Sequence, residues 1–293
     1  MGNRLLELRN FSDIASWVKA FLVISIFFMV QAAFADADFN KNVVKNLELK
    51  DDGKSVYKIH FWSDSAIILG SALIVAGANA WQYSIINQSC PCDPNGINFV
   101  DKGVVANNNH AADIAANYTV TVAMIIPVAI DYFDVGLTKA FAEDMFIYTE
   151  VLSVNFSLAT MVKFGFQRPY PYMYQRSTNG GYQSEPDDYL SFYSGHTSTT
   201  MSALAAASGT YNLRHGHTAW PWLITGVLGT TVAVELVISA EHFITDVLVG
   251  AVMGLAEGTL ITAAHARNEK NPLQKIYLIS SEGGPELVWR YEF

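Results

Sequence analysis

Residues 191–198 read SFYSGHTS and come just before an alanine-rich helical stretch, Met201–Ala207. A helix that begins here would direct free backbone N–H groups and the positive end of its dipole at the SGH segment, and such positions bind anions. His196 would add a group that exchanges protons near neutral pH. A helix N-cap at Ser194 and a turn at Gly195 explain the same letters without any chemistry, so the rest of the chain has to decide.

A second signal lies downstream in ELVISAEHFITDVLVG, residues 235–250. His242 and Asp246 are four residues apart, a spacing that places two side chains on one face of a helix. A carboxylate behind an imidazole fixes its tautomer and leaves the other ring nitrogen free to act as a nucleophile. Upstream, KFGFQRPYP supplies the cations Lys163 and Arg168. Together these are the parts that phosphoryl transfer through a phosphohistidine would need.

The three segments, in this order, resemble the motifs of the type 2 phosphatidic acid phosphatases, which share a core with the vanadium haloperoxidases. Those motifs are Lys-x6-Arg-Pro, Pro-Ser-Gly-His and Ser-Arg-x5-His-x3-Asp, and the resemblance covers roughly residues 60–265. It implies that His242 is the nucleophile, that Asp246 orients it, and that His196 protonates the leaving oxygen. It implies no metal and no cofactor. The phosphate ligands that it implies are Lys163, Arg168, Ser194 and Gly195.

Two arginines of the family pattern are replaced in this chain. Tyr170 stands at the motif distance from Lys163, although Arg168 lies two residues earlier. Glu235 and Leu236 stand where Ser-Arg belongs. Leucine cannot replace arginine, which is the natural bidentate partner of phosphate oxygens.

The function therefore has three interpretations. The first is an exported phosphatase that hydrolyses a phosphate monoester or pyrophosphate, on a lipid or on a small ester. The second is a degenerate member that binds an anion or a partner and turns over slowly or not at all. The third is a vanadate-dependent haloperoxidase, which would need a richer cluster of cations than this chain supplies.

The composition predicts a helical protein with no nucleic-acid partner. The 293 residues are 51% hydrophobic and 15% charged, and the net charge of −9 offers no basic run for a phosphate backbone. Apolar stretches rich in small residues predict an all-α six-helix bundle, which the resemblance identifies with the acid phosphatase/haloperoxidase type. The predicted stretches are Ser65–Trp81, Ala115–Ile130, Met145–Val162, Ser198–Tyr211, Trp220–Ala240 and Val247–Ala264.

The N-terminus predicts export. A basic start and an apolar run precede Ala33-Phe34-Ala35, which is a small-x-small cleavage pattern. Cys90 and Cys92 then predict a local or intermolecular disulfide rather than a metal site. The expected divisions are a signal peptide at 1–35, a leader at 36–63, a helical phosphatase-like domain at 64–266, and a tail at 267–293 with a short β-hairpin.

The length of the apolar runs bears on the membrane. Most reach ~15 to 17 residues before a polar group, short of the ~20 that span a bilayer. Three of the runs are interrupted, one by Glu150 and Asn155, one by Glu235 and one by Glu257. We therefore expect a soluble or membrane-surface-associated periplasmic protein, with an integral inner-membrane protein as the alternative. A phosphate ester or a lipid phosphate is the expected partner.

Overall fold

The computed structural model describes residues 53–88, 90, 92–176, 184–267, 276–281 and 284–289. The predicted signal peptide lies outside these residues, and its cleavage stays a prediction. The described helices are α1 (Phe61–Ile85), α2 (His110–Val135), α3 (Lys139–Phe166), α4 (Met173–Arg176), α5 (Gly195–His215), α6 (Trp220–Ile238) and α7 (Ile244–His265). The predicted helical class is confirmed. In the tail, the backbone forms two antiparallel strands, β1 (Ile276–Ser281) and β2 (Gly284–Trp289).

The six long helices among the described residues run alternately in opposite directions between the two ends of the bundle. Hydrogen bonds between residues far apart in the sequence show which segments lie at the same end. At one end, here called the site end, Gln167 after α3 donates to the last residue of α1 at 3.1 Å. At the same end the Ser194 N–H donates to the Asp246 carbonyl at 3.1 Å. At the opposite end the Lys58 N–H donates to the His265 carbonyl at 2.7 Å. Helix α7 connects the ends, and its 22 residues span about 33 Å at ~1.5 Å per residue.

Helices α5 and α7 approach each other backbone to backbone along a seam of small residues. Gly250, Gly254 and Gly258 recur every fourth residue, so they form one stripe on α7. A Cβ added at Gly254 would lie 2.2 Å from the carbonyl oxygen of Ser198, and similar clashes arise one turn before and one turn after. Only glycine permits this approach. The approach brings the N-terminal ends of α5 and α7 side by side at the site end.

Helix α5 lies at the centre of the bundle and contacts α2, α3, α6 and α7. All of its residues from Thr197 to Ala206 are buried. Its polar side chains bond inside the bundle: the Thr199 hydroxyl donates to Asn155 Oδ1 at 3.0 Å. The Asn155 amide in turn donates to Glu257 Oε2 at 2.6 Å. The polar residues that interrupt the predicted apolar runs of α3 and α7 therefore face the interior.

Five helices, α1, α2, α3, α6 and α7, are long and apolar enough to cross a membrane. Four of them, α1, α2, α3 and α7, extend beyond the predicted apolar runs, and α3 reaches 28 residues, so counting residues up to the first polar group underestimated these helices. Large apolar side chains such as Trp62 and Phe133, each 84% exposed, lie on the outer faces. Exposed apolar surface of this extent indicates association with a membrane, and the integral alternative fits these helices.

The described part of the expected leader packs onto the bundle. Tyr57 is fully buried, and its hydroxyl lies 2.7 Å from Thr210 Oγ1 of α5. Tyr57 also forms an antiparallel bridge with Ala266, which follows α7. Helix α1 begins at Phe61, inside the segment that was expected to be leader. Residues 53–60 therefore connect the start of α1 to the end of α7.

Replacing Gly254 by alanine tests the seam. The added methyl group would lie 2.2 Å from the Ser198 carbonyl oxygen, and overpacking of this kind costs about 1–3 kcal/mol. Gly226→Ala on α6 is the matched control, because its added Cβ meets nothing within 4 Å and alanine favours a helix by about 0.5–1 kcal/mol over glycine. Thermal unfolding in detergent should show a lower Tm for Gly254→Ala only. Equal Tm values would contradict the close approach.

Candidate active site

His242 lies in the turn between α6 and α7 rather than on α7. The expectation that His242 and Asp246 share a helix face is therefore wrong, because α7 begins only at Ile244. Asp246 instead caps the start of α7: its Oδ2 accepts a hydrogen bond from the Phe243 N–H at 3.0 Å. This cap brings Asp246 Oδ2 to 3.4 Å from His242 Nδ1. The predicted contact between the two side chains exists, but capping of the helix produces it.

The Nδ1 side of His242 is enclosed by polar groups. The Ser191 hydroxyl donates to Asp246 Oδ2 and lies 3.5 Å from His242 Nδ1. Burial lowers the pKa of the His242 imidazole below its usual value, and the nearby Lys163 cation adds to this effect, while the hydrogen bond with Asp246 opposes it. The ring is therefore neutral at pH 7. With Nδ1 held from behind, Nε2 is the nitrogen left for a substrate.

Arg168 binds the carboxylate behind His242. Its Nη1 lies 2.5 Å from Asp246 Oδ1, and its Nη2 lies 2.8 Å from Asp101 Oδ2. The guanidinium also stacks on the Phe243 ring, 3.9 Å from the ring centroid. The sequence predicted Arg168 to be a phosphate ligand. In the structure both terminal nitrogens bond carboxylates, which makes Arg168 a positioning residue for Asp246.

Asp101 was not predicted, and it ties a connector to the site. It is fully buried, and it accepts hydrogen bonds from the Thr245 N–H at 3.0 Å and from the Asn98 amide at 2.7 Å. Burial alone would raise the pKa of Asp101, but the hydrogen bonds from Arg168, Thr245 and Asn98 hold it below the usual value. The Asn- and Gly-rich segment around it carries no motif that could have identified it.

The SGH segment at the start of α5 is both a helix N-cap and a candidate anion site. Ser194 is the N-cap, and its hydroxyl accepts from the Thr197 N–H at 3.3 Å. Gly195 is the first residue of α5, and a Cβ added there would lie 3.7 Å from Lys163 Cε. The Lys163 side chain thus lies beside the free N–H groups of the helix start, where the two would attract the same anion.

Tyr170 occupies the space between the predicted cation and the predicted nucleophile. Its hydroxyl is 3.4 Å from Lys163 Nζ, which also donates to the Leu190 carbonyl. Its ring centroid is 5.2 Å from that of His242, and the ring stacks on Tyr172. Burial raises the pKa of Tyr170 well above its usual value. A protonated hydroxyl therefore stands where the family pattern has an arginine.

His196 is held by an asparagine that the sequence analysis missed. The His196 Nε2 lies 3.1 Å from Asn117 Oδ1 on α2. The Asn117 amide nitrogen donates to the Asp113 carbonyl at 3.0 Å, which leaves Oδ1 to accept. The geometry therefore assigns a proton to Nε2 of His196. A lone asparagine in a helix gives no sequence signal for such a role.

The residues that replace Ser-Arg lie on the last turns of α6, and the His242 N–H donates to the Leu236 carbonyl at 3.1 Å. Leu236 is buried in an apolar cluster with Ala116, Val232 and Val247. Glu235 lines a shallow cavity on a face of α6 that also carries Leu223, which is 68% exposed. The Leu236 side chain thus packs among apolar residues, while its carbonyl holds the backbone of the turn that carries His242.

Cys90 and Cys92 are joined in a disulfide, as expected for a local pair. The Cys90 N–H donates to the Tyr189 hydroxyl at 3.1 Å. Both cysteines pack against a cluster that includes Met173 and Leu190. The disulfide therefore supports the loop that leads into SFYSGHTS at the site end.

Residues 145–270 match the family model described as the PAP2 superfamily. This segment contains every predicted catalytic and phosphate-binding residue, from Lys163 to Asp246. This part of the chain is therefore similar to the PAP2 superfamily, as its motifs indicated.

Among solved structures, the chain is similar to "the first transmembrane PAP2 type phosphatidylglycerolphosphate phosphatase from Bacillus subtilis". The match covers 70% of this chain and 96% of that one, at 18% identity and a TM-score of 0.43. No curated protein matches the chain.

Asp101→Asn tests the ionic support behind Asp246. Hydrogen bonds to charged groups are worth about 1.5–3 kcal/mol, so the variant should unfold at a lower temperature at pH 7. The depressed pKa of Asp101 means that its contribution is present above the ordinary value of 3.8 and is lost as the pH falls through the folded-state pKa. The Tm difference from the parent protein should shrink below pH 3.8.

Asp93→Asn is the control, because Asp93 is an exposed turn residue whose side chain accepts from the Asn95 N–H. It should leave the Tm unchanged at pH 7. A Tm deficit for Asp101→Asn that stays constant down to pH 3 would argue against the Arg168–Asp101 pair.

Proposed function

We propose that the chain is an integral membrane phosphatase that hydrolyses a lipid phosphate or pyrophosphate through a phosphohistidine on His242. The observation that carries this proposal is the contact of His242 Nδ1 with Asp246 and Ser191 beside the start of α5 and Lys163. A neutral imidazole that is held from one side presents its second nitrogen as a nucleophile.

In the first step His242 Nε2 attacks phosphorus. The N–P bond forms, the ester P–O bond breaks, and the leaving oxygen takes the Nδ1 proton of His196. His196 acts here as an imidazolium and keeps its Nε2 proton in the hydrogen bond to Asn117. The positive charge that develops on the imidazole is stabilised by Asp246, which Arg168 and Asp101 hold in place. In the second step a water molecule gives a proton to His196 and attacks phosphorus, which breaks the N–P bond and releases inorganic phosphate.

The phosphate group would be held by the N–H groups at the start of α5, by Lys163 and by the Tyr170 hydroxyl. The cations Lys163 and Arg168 are more than offset by carboxylates at this site, because Asp187 acts on Lys163 in addition to the Asp246 and Asp101 carboxylates that pair with Arg168. The site therefore attracts a phosphate dianion less than an arginine-rich site would. We expect slow turnover relative to members that carry all of the motif arginines.

One observation favours the second candidate, an anion-binding member with little turnover. Arg168 is occupied by two carboxylates, and Leu236 is buried among apolar side chains. Neither arginine position then supplies a free guanidinium for the transition state. Losing one such contact raises the activation free energy by about 3–4 kcal/mol in comparable sites. The catalytic histidines and Asp246 are nevertheless present, which favours the enzyme.

A lipid phosphate is favoured over a small ester by the surroundings of Lys163. Phe166 at the end of α3 is 67% exposed, and its ring lies 4.7 Å from that of Phe192 in the SFYSGHTS loop. This apolar pair lies one turn from Lys163. An acyl chain could contact the two rings while its phosphate group reaches the start of α5.

A polar cavity beside the catalytic residues offers space for the group that is released. Its volume is about 290 Å³, and its lining includes Asp113, Arg176 and Glu241. Glu241 directly precedes His242, and Asp113 bonds the asparagine that holds His196. Burial and the nearby Asp113 raise the pKa of Glu241 to about 7. A hydroxylated headgroup matches this mixture of acceptors and a cation.

The disulfide indicates which compartment the site faces. Cys90 and Cys92 lie at the site end, and disulfides persist in oxidising compartments, so we propose that the site end faces outward. With six crossings the start of α1 is then on the inner side. A cleaved signal peptide at 1–35 would place that start outside, so the two predictions exclude each other when all six long helices cross.

The test is phosphate release from phosphatidic acid and from a polyprenyl pyrophosphate by the full chain in detergent. We expect His242→Ala to abolish turnover and Asp246→Asn to reduce kcat by about 10²–10⁴, the range for general acid–base and orienting groups. His217→Gln, an exposed histidine at the opposite end, should retain full activity. Equal rates for the parent protein and His242→Ala would overturn the proposal.

The same assay on intact cells, with a short-chain ester that does not cross membranes, tests the orientation. Hydrolysis before lysis supports an outward site. Hydrolysis that appears only after lysis contradicts it.

A further inference from the structure

A second cluster of ionisable side chains lies at the opposite end of the bundle, where α1 begins and α7 ends. His60, Asp64 and His265 each direct a nitrogen or carboxylate oxygen into one space, and these atoms lie within 4.8 Å of one another. Glu150 on α3 reaches the same space, with Oε2 3.6 Å from His265 Nε2. The length of α7 separates this cluster from His242, so the phosphatase mechanism does not use it.

The position of the proton on the His265 ring determines whether its other nitrogen faces the carboxylates as a donor or as an acceptor. Its Nδ1 lies 2.9 Å from the Ile261 carbonyl oxygen, which can only accept, so Nδ1 carries a proton. In the neutral ring, Nε2 then has a lone pair. That lone pair faces Asp64 Oδ2 at 3.5 Å and Glu150 Oε2 at 3.6 Å. Three acceptors thus point at one another, so a proton or a cation must lie between them.

The two carboxylates have no cation of their own. Asp64 and Glu150 are each 3% exposed, and Glu150 Oε2 has no hydrogen-bond partner. Within the described ranges, His265 is the only basic side chain that pairs with either of them. The nearby Arg267 pairs with Glu143 instead. Asp64 Oδ2 accepts from the His60 N–H at 2.7 Å, but a buried carboxylate without a cation beside it, as at Glu150, is costly and is commonly paired or bound to a metal.

The spacing matches a metal ion better than a set of hydrogen bonds. Separations of 3.5 and 3.6 Å between the His265 nitrogen and the carboxylate oxygens exceed ordinary hydrogen bonds. These two separations are close to the edge of about 3.3 Å that a tetrahedron has when its ligands lie ~2.0–2.1 Å from a central zinc ion, and the ligand atoms of His60, Asp64 and His265 all lie within 4.8 Å of one another. Asp64 is also oriented from outside the cluster, because its Oδ1 accepts from the Ser63 hydroxyl at 3.0 Å.

We propose that His60, Asp64, Glu150 and His265 bind one divalent transition-metal ion, with Zn²⁺ as the best match to two imidazoles and two carboxylates. The ion would join the start of α1 to α3 and to the end of α7. Helix α1 lies outside the 145–270 segment that the PAP2 family model matches. The site therefore fastens an additional helix to the family core and takes no part in catalysis.

The test measures zinc directly on the full chain. Protein purified in detergent is stripped with EDTA, equilibrated with micromolar Zn²⁺ and freed of unbound metal, and the zinc content is determined by mass spectrometry. We expect one zinc ion per chain and a higher Tm with zinc. His60→Gln and Glu150→Gln should each weaken zinc binding at least tenfold. His60 is exposed, so its replacement does not threaten folding.

His215→Gln is the matched control, because His215 pairs with Asp134 at 2.8 Å at the same end. It should bind zinc as the parent protein does. Absence of stoichiometric zinc from the parent protein would overturn the proposal, as would unchanged binding in His60→Gln and Glu150→Gln. In either case an imidazolium at His265 would be the cation between the carboxylates. Zinc content should be the same in His242→Ala, so this result is independent of the proposed phosphatase activity.

Discussion

The close approach of α5 and α7 is the constraint on which the candidate site depends. Both helices begin at the site end, and their N-terminal turns carry the SGH and HFITD segments. Glycines on α7 allow its backbone to lie against the carbonyl groups of α5, and the Ser194 N–H then reaches the Asp246 carbonyl. A larger residue in the seam would separate the start of α5 from the turn that carries His242.

A series of paired side chains holds His242 on its Nδ1 side, and this series includes the arginine that the motif would direct at the phosphate. His242 contacts Asp246, Asp246 pairs with Arg168, and Arg168 pairs with Asp101. The series fixes the imidazole, but it consumes the cation that would otherwise face the substrate. Tyr170 then supplies a neutral hydroxyl next to Lys163. The site is therefore organised for nucleophilic attack and provides modest binding of the phosphate charge.

The helical class and the catalytic motifs could be predicted because both are local in sequence. Apolar stretches rich in small residues predicted the six long helices, although the first polar side chain in a stretch was mistaken for its end. Asn155 and Glu257 bond each other inside the bundle, and the sequence alone cannot show which way a polar side chain faces. The length of the helices was therefore underestimated, and the integral inner-membrane alternative fits the longer helices.

The contacts that were missed come from distant segments. Asp101, Asn117 and Ser191 reach the site from a connector, from α2 and from the loop before α5, and none belongs to a motif. The position of Arg168 could not be predicted either. Its sequence neighbourhood suits a phosphate ligand, but the buried Asp101 and Asp246 compete for the same guanidinium, and two carboxylates at fixed positions bind it in the structure.

The most direct test of a nucleophilic His242 is to trap the phosphoenzyme. The full chain is mixed with phosphatidic acid that carries a radiolabelled phosphate, quenched in alkali within milliseconds to seconds, and digested for peptide mapping. The proposed mechanism predicts an alkali-stable, acid-labile label on the peptide that contains His242, and no label in His242→Ala. Label on another residue, or phosphate release without any label on His242, would contradict it.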